Sequence, residues 1–72
     1  MKRKDVKADG RFTVSGPGID DRSTVSENAG ISLAQNFACR AEEPGTWYVR
    51  DFDTVVYHVE RDEDGVVITK RA

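Results

Sequence analysis

The segment TWYVRDFDTVVYHVERDEDGVVITK, residues 46–70, decides how this chain folds. Apolar and polar side chains alternate along Thr46–Asp51, again along Thr54–Arg61 and a third time along Val66–Lys70. That two-residue period belongs to a β-strand with one face on a core. Asp51-Phe52-Asp53 and Asp62-Glu63-Asp64-Gly65 separate the runs as polar turns, and Gly65 is free to adopt the left-handed conformation that closes a hairpin. The segment reads as an antiparallel meander of short strands.

Working upstream, Pro44-Gly45 is a stop signal, because the residue before proline is pushed out of the α region. Ahead of it, Ser32-Leu33-Ala34-Gln35 has the pattern of a capping box and predicts a helix over 32–43. Thr24-Val25-Ser26-Glu27 fits the same pattern, but a start there places Gly30 inside the helix at a cost of about 1 kcal/mol relative to alanine. In the later helix, Leu33, Ala34, Phe37, Ala38 and Ala41 share one arc, with Phe37 as its large anchor and Cys39 on the polar side.

Further upstream, Arg11–Ser15 alternates with Phe12 and Val14 on one side, a short first strand. Gly16-Pro17-Gly18 and the polar residues 20–23 read as a loop, and the glycines lack the spacing of either phosphate-binding motif. Residues 1–10 are nearly free of apolar side chains and read as a mobile tail ahead of a single domain over 11–72.

A chain of 72 residues holds one domain at most, with a thin stability margin. One cysteine excludes an intramolecular disulfide, and no apolar run approaches membrane-spanning length. These features lead to the expectation of a soluble, cytoplasmic protein with no membrane partner. Charge is unevenly placed. Lys2, Arg3, Lys4, Lys7 and Arg11 against Asp5 and Asp9 make residues 1–11 net +3, which leaves −5 for residues 12–72 out of the whole-chain −2. An acidic body favours a basic protein surface over phosphates.

The strand alternation sorts side chains into two faces. Phe12, Val14, Trp47, Val49, Val55, Tyr57, Val59, Val66 and Ile68 are expected under the helix. Tyr48, Arg50, Thr54, Val56, His58, Glu60, Val67 and Thr69 are expected on the open face, a mixture of aromatic, apolar and charged groups like that of interface cores. A one-residue register slip would exchange the two sets.

Catalytic chemistry finds little support. His58 and Glu60 could supply two metal ligands, fewer than zinc sites require, so neither metal nor cofactor is expected. The serines sit in turns or caps without a nucleophile-elbow setting, and Cys39 has no basic neighbour at helical spacing to lower its pKa. Glu60, Asp62, Glu63 and Asp64 crowd a hairpin tip, where solvation keeps carboxylates from acting as general acids. The expectation is therefore not an enzyme. It is a small α+β sandwich in the order β-α-β-β-β, one helix on an antiparallel meander sheet with one face open.

The expected role is a protein-binding module, an inhibitor or adaptor for a larger protein with a basic surface, as a phage-type antagonist of nucleic-acid-binding machinery would be. Its partner-binding residues would be Tyr48, Arg50, Val56, His58, Glu60 and Val67 on the face, with Asp62, Glu63 and Asp64 imitating phosphates at its end. The same face could take a second copy of the chain. The alternatives are a regulator whose Lys2, Arg3, Lys4 and Lys7 contact nucleic acid, and a self-assembling structural subunit.

Overall fold

The computed structural model describes residues 11–72. The proposed tail over 1–10, with Lys2, Arg3, Lys4 and Lys7, lies outside the described residues. The elements are β1 (Phe12–Gly16), β2 (Ile19–Thr24), α1 (Glu27–Arg40), β3 (Gly45–Asp51), β4 (Thr54–Arg61) and β5 (Val67–Arg71). They form one antiparallel sheet in the order β2-β1-β3-β4-β5, with α1 across one face and the other face open. The expected two-layer α+β architecture is present, and its meander is β3-β4-β5.

The element order is β-β-α-β-β-β rather than β-α-β-β-β, because residues 19–24 form a strand where a loop was expected. β2 pairs with β1 alone and turns a single apolar side chain, Ile19, into the core. Its remaining residues, Asp20 to Thr24, are polar. An edge strand bonded on one side can be almost wholly polar, so it carries no hydrophobic alternation to read.

The helix begins earlier than Ser32 and ends earlier than Glu43. Ser26 is its N-cap, with the side-chain oxygen accepting from the Ala29 N–H at 3.1 Å. Glu27 in the first turn and Arg40 in the last suit the helix dipole. Gly30 is consequently inside the helix, and packing gives the reason. A Cβ there would stand 3.0 Å from Val49 Cγ1 and 3.3 Å from Thr24 Oγ1. Close approach of α1 to the sheet thus outweighs the propensity cost of glycine, about 1 kcal/mol.

Val14, Ala34, Ala38, Trp47, Val49 and Val59 are completely buried between the layers. Small alanines on α1 sit over larger side chains on the sheet. Phe37, expected as the anchor, is only half-buried, and that place belongs to Trp47. The indole lies over Gly16 and donates its Nε1–H to the Pro17 carbonyl at 2.9 Å, so the β1–β2 turn closes one end of the core.

A β-bulge in β4 changes the assignment of faces. Val49 pairs with Tyr57 but Arg50 pairs with Val55, leaving Val56 as the extra residue. Val56 and Tyr57 both pack toward the core, as side chains at a bulge can, and Val55 opposite Arg50 turns to the open side. In β5, Thr69 pairs with Val59 and Val67 with Arg61, so both stand on the helix side. Gln35 on α1 donates to the Thr69 hydroxyl at 2.8 Å, and Val67 packs on the core. Ile68, opposite Glu60, stands on the open face. Thr54 pairs with Asp51, itself opposite the buried Phe12, so the expected positions of Thr54, Val55, Val56, Val67, Ile68 and Thr69 are all exchanged, and Val66 is exposed outside the strand.

The far end of the sheet is tied by Arg11. Its guanidinium makes a two-pronged contact with Asp51, Nε to Oδ1 at 3.0 Å and Nη2 to Oδ2 at 3.1 Å, while its carbonyl accepts from the Phe52 N–H. The hydrogen bond from Arg11 holds the Asp51 carboxyl below the ordinary aspartate value. A depressed folded-state pKa contributes stability that is present above the unfolded-state value and lost as pH falls through the folded one. Carboxyl carbon NMR should therefore show Asp51 titrating below the ordinary aspartate value, and Arg11→Ala should bring it back to the ordinary range.

Candidate protein-binding face

Alternation in β1, β3 and β5, and alternation interrupted by the bulge in β4, put one set of side chains on the face opposite α1. β3 supplies Tyr48 and Arg50, β4 supplies Val55, His58 and Glu60, and β5 supplies Ile68 and Lys70. β1 adds Thr13 beside Arg50 and Ser15 beside Tyr48. No element among the described residues covers this face.

Its centre is aromatic. Tyr48 and His58 are directly opposed across β3 and β4, with ring centroids 5.3 Å apart and planes at 73°, an edge-to-face pair. Such a pair is worth about 0.5–1.5 kcal/mol beyond area burial and favours this arrangement of the two rings. Around it, Lys70 Nζ reaches Glu60 Oε1 at 3.3 Å and Arg50 lies between Thr13 and Val55. Tyr48 and Ile68 are the exposed large hydrophobics on the strands of this face, at 37% and 47%.

At one end the face meets the β4–β5 turn. A groove of about 350 Å³ there is lined in part by Thr46, Glu60, Arg61, Asp62, Val66 and Ile68. Within the turn, the Asp62 carboxylate accepts from the N–H groups of Asp64 and Val66, both at 2.9 Å. Asp62 is thereby occupied in shaping the turn, while Glu63 and Asp64 project as exposed carboxylates.

Of the residues expected to bind a partner, the structure brings Tyr48, Arg50, His58 and Glu60 together, with Glu63 and Asp64 at the end of the face. Val56 and Val67 are on the opposite side of the sheet, against the core. Val55, Ile68 and Lys70 were missed. The doubled valine of residues 55–56 is where an inserted residue leaves the apolar pattern intact, so the bulge had no sequence marker.

Cys39 is an exposed free thiol, on the polar side of α1 as expected. Among the described residues, no group of three or more His, Cys, Asp or Glu side chains could hold a metal ion. No helix among them is long and apolar enough to cross a membrane. In comparisons with known proteins, no family model, no curated protein and no solved structure matched the chain.

Proposed function

We propose that this protein is a non-enzymatic binding module whose open sheet face docks on a larger protein, as an inhibitor or adaptor does. The observation that supports the reading is the Tyr48–His58 pair, packed edge to face at the centre of a face that no other element among the described residues covers. Aromatic groups at the middle of an interface, ringed by charged and hydrogen-bonding groups, carry most of its affinity. Arg50, Glu60 and Lys70 form such a ring here.

Glu63 and Asp64 give the acidic end of the face a preference for a basic partner surface. Their effect falls mainly on the association rate and on its salt dependence. The lone exposed Cys39 suits a reducing compartment, and the cytoplasm is the proposed location.

The test is affinity capture of the tagged protein from bacterial lysate, run with and without nuclease, read by mass spectrometry and followed by titration of the nuclease-resistant partner. Tyr48→Ala should weaken a discrete protein partner by at least about tenfold, with folding checked by circular dichroism. Glu63→Lys with Asp64→Lys should slow association and flatten its dependence on salt. Equal affinity of the wild type and Tyr48→Ala for that partner would sink the face as the binding site. Recovery of nucleic acid alone, abolished by deleting residues 1–8, would replace this reading by the tail-driven regulator.

A further inference from the structure

The two edges of the sheet are built differently. On β2 the pairing with β1 is bulged, Val14 pairing with Arg22 and Gly16 with Ile19, and the exposed Asp20, Asp21 and Arg22 follow one another along it. Bulges and successive charges are the usual means of keeping a second strand from an edge. β5 has an unbroken register with β4 from Val67 to Arg71. Ile68 is exposed at 47%, and Val66 just before the strand at 50%.

The direction of the free backbone groups on β5 follows from its bonds to β4. The Val66 carbonyl accepts from Asp62 N–H at 3.0 Å, and Ala72 N–H donates to the Val56 carbonyl at 2.9 Å. In an antiparallel ladder alternate residues bond to the same neighbour. Val66, Ile68, Lys70 and Ala72 therefore address β4, and Val67, Thr69 and Arg71 turn their N–H and C=O groups to the open edge.

We propose that β5 pairs with β5 of a second copy of the chain, antiparallel and centred on Ile68. Val67 then exchanges backbone hydrogen bonds with Thr69 of the second copy, and Thr69 with its Val67, which satisfies the outward groups in register. Ile68 meets Ile68 of the second copy on the open face, and Val66 meets the aliphatic stem of its Lys70, so both exposed apolar side chains at this edge are covered.

Charge selects the same arrangement. The strand ends in Lys70 and Arg71 and is preceded by the turn carrying Glu63 and Asp64. Two-fold pairing lays the basic end of each strand against the acidic turn of the other. Parallel pairing would set like charges side by side. The cations that would repel an unrelated basic strand become the means of recognising this one.

The product is a continuous sheet twice the width of the monomer's, with both helices on one side and two copies of the Tyr48–His58 pair on the other. The pairing shares Ile68, Lys70, Glu63 and Asp64 with the margin of the open face and leaves Tyr48 and His58 uncovered. It concerns the edge of the sheet and is tested on the purified protein alone.

Sedimentation velocity of the full chain should show a concentration-dependent monomer–dimer equilibrium. Thr69→Pro removes an outward N–H and leaves the β4–β5 ladder intact, so it should weaken the dimer at least about tenfold. Because that change also disturbs the contact from Gln35, a charge exchange gives a second test. Lys70→Glu with Arg71→Glu should be monomeric, as should Glu63→Lys with Asp64→Lys, and an equimolar mixture of the two variants should restore a heterodimer. A wild type that stays monomeric up to roughly 1 mM would overturn the proposal. So would a dimer that persists in all the variants.

Discussion

Trp47→Ala leaves the chain largely unfolded at room temperature. Trp47 is completely buried, is the largest side chain of the core, and hydrogen-bonds the Pro17 carbonyl at 2.9 Å. Truncating a buried tryptophan costs about 3–5 kcal/mol, which equals the roughly 3–5 kcal/mol that a single core supplies in a chain below about 70–80 residues. The loss also opens the end of the sheet closed by the β1–β2 turn. Urea unfolding followed by far-ultraviolet circular dichroism measures the effect, with Trp47→Phe as the comparison. Phenylalanine keeps most of the apolar area but leaves the Pro17 carbonyl without its donor, a loss of about 1–3 kcal/mol. A variant that unfolds at the wild-type urea concentration would remove Trp47 from its place as the anchor.

Gly16→Ala should be nearly as damaging, for the complementary reason. Gly16 has φ +148°, a backbone region that L side chains rarely adopt, and an added Cβ would lie 2.6 Å from Trp47 Cδ1 and 3.0 Å from the Thr46 carbonyl oxygen. Overpacking a buried contact costs about 1–3 kcal/mol, and forcing the backbone conformation costs a further 1–3 kcal/mol or so. Gly18→Ala is the control. Gly18 also has positive φ, at +78°, but an added Cβ there would meet nothing within 4 Å, so only the backbone cost applies. Thermal melts of the two variants separate the effects, and an equal drop in Tm would show that contact with the indole contributes nothing.

Both variants act on the contact between Trp47 and the turn after β1, a contact joining residues far apart in the chain. The sequence contains its parts without announcing their meeting. Gly16-Pro17-Gly18 is legible as a turn, and Trp47 as a buried strand residue. That the indole seals the turn depends on β1 lying beside β3. The same adjacency explains Gly30, whose place inside α1 looks unfavourable locally and becomes necessary once Val49 presses against it.

Local chemistry by itself determined the meander of β3, β4 and β5, the side that buries Trp47, Val49 and Val59, the polar setting of Cys39 and the two-layer architecture. Alternation and turn residues act over a few positions, and short-range backbone preference is enough to read them. Tertiary structure decided the rest. The edge strand β2 exists because β1 offers it hydrogen bonds, since IDDRST has only Ile19 to bury. The start of α1 was selected by how closely Gly30 lets the helix approach the sheet. The bulge at Val56 and the register of β5 exchanged Thr54, Val55, Val56, Val67, Ile68 and Thr69 between the faces, and so determined which side chains stand beside Tyr48 and His58. The physical reason is the two-residue period of a strand: one inserted residue reverses every side chain beyond it, and only pairing with neighbouring strands shows where that residue lies.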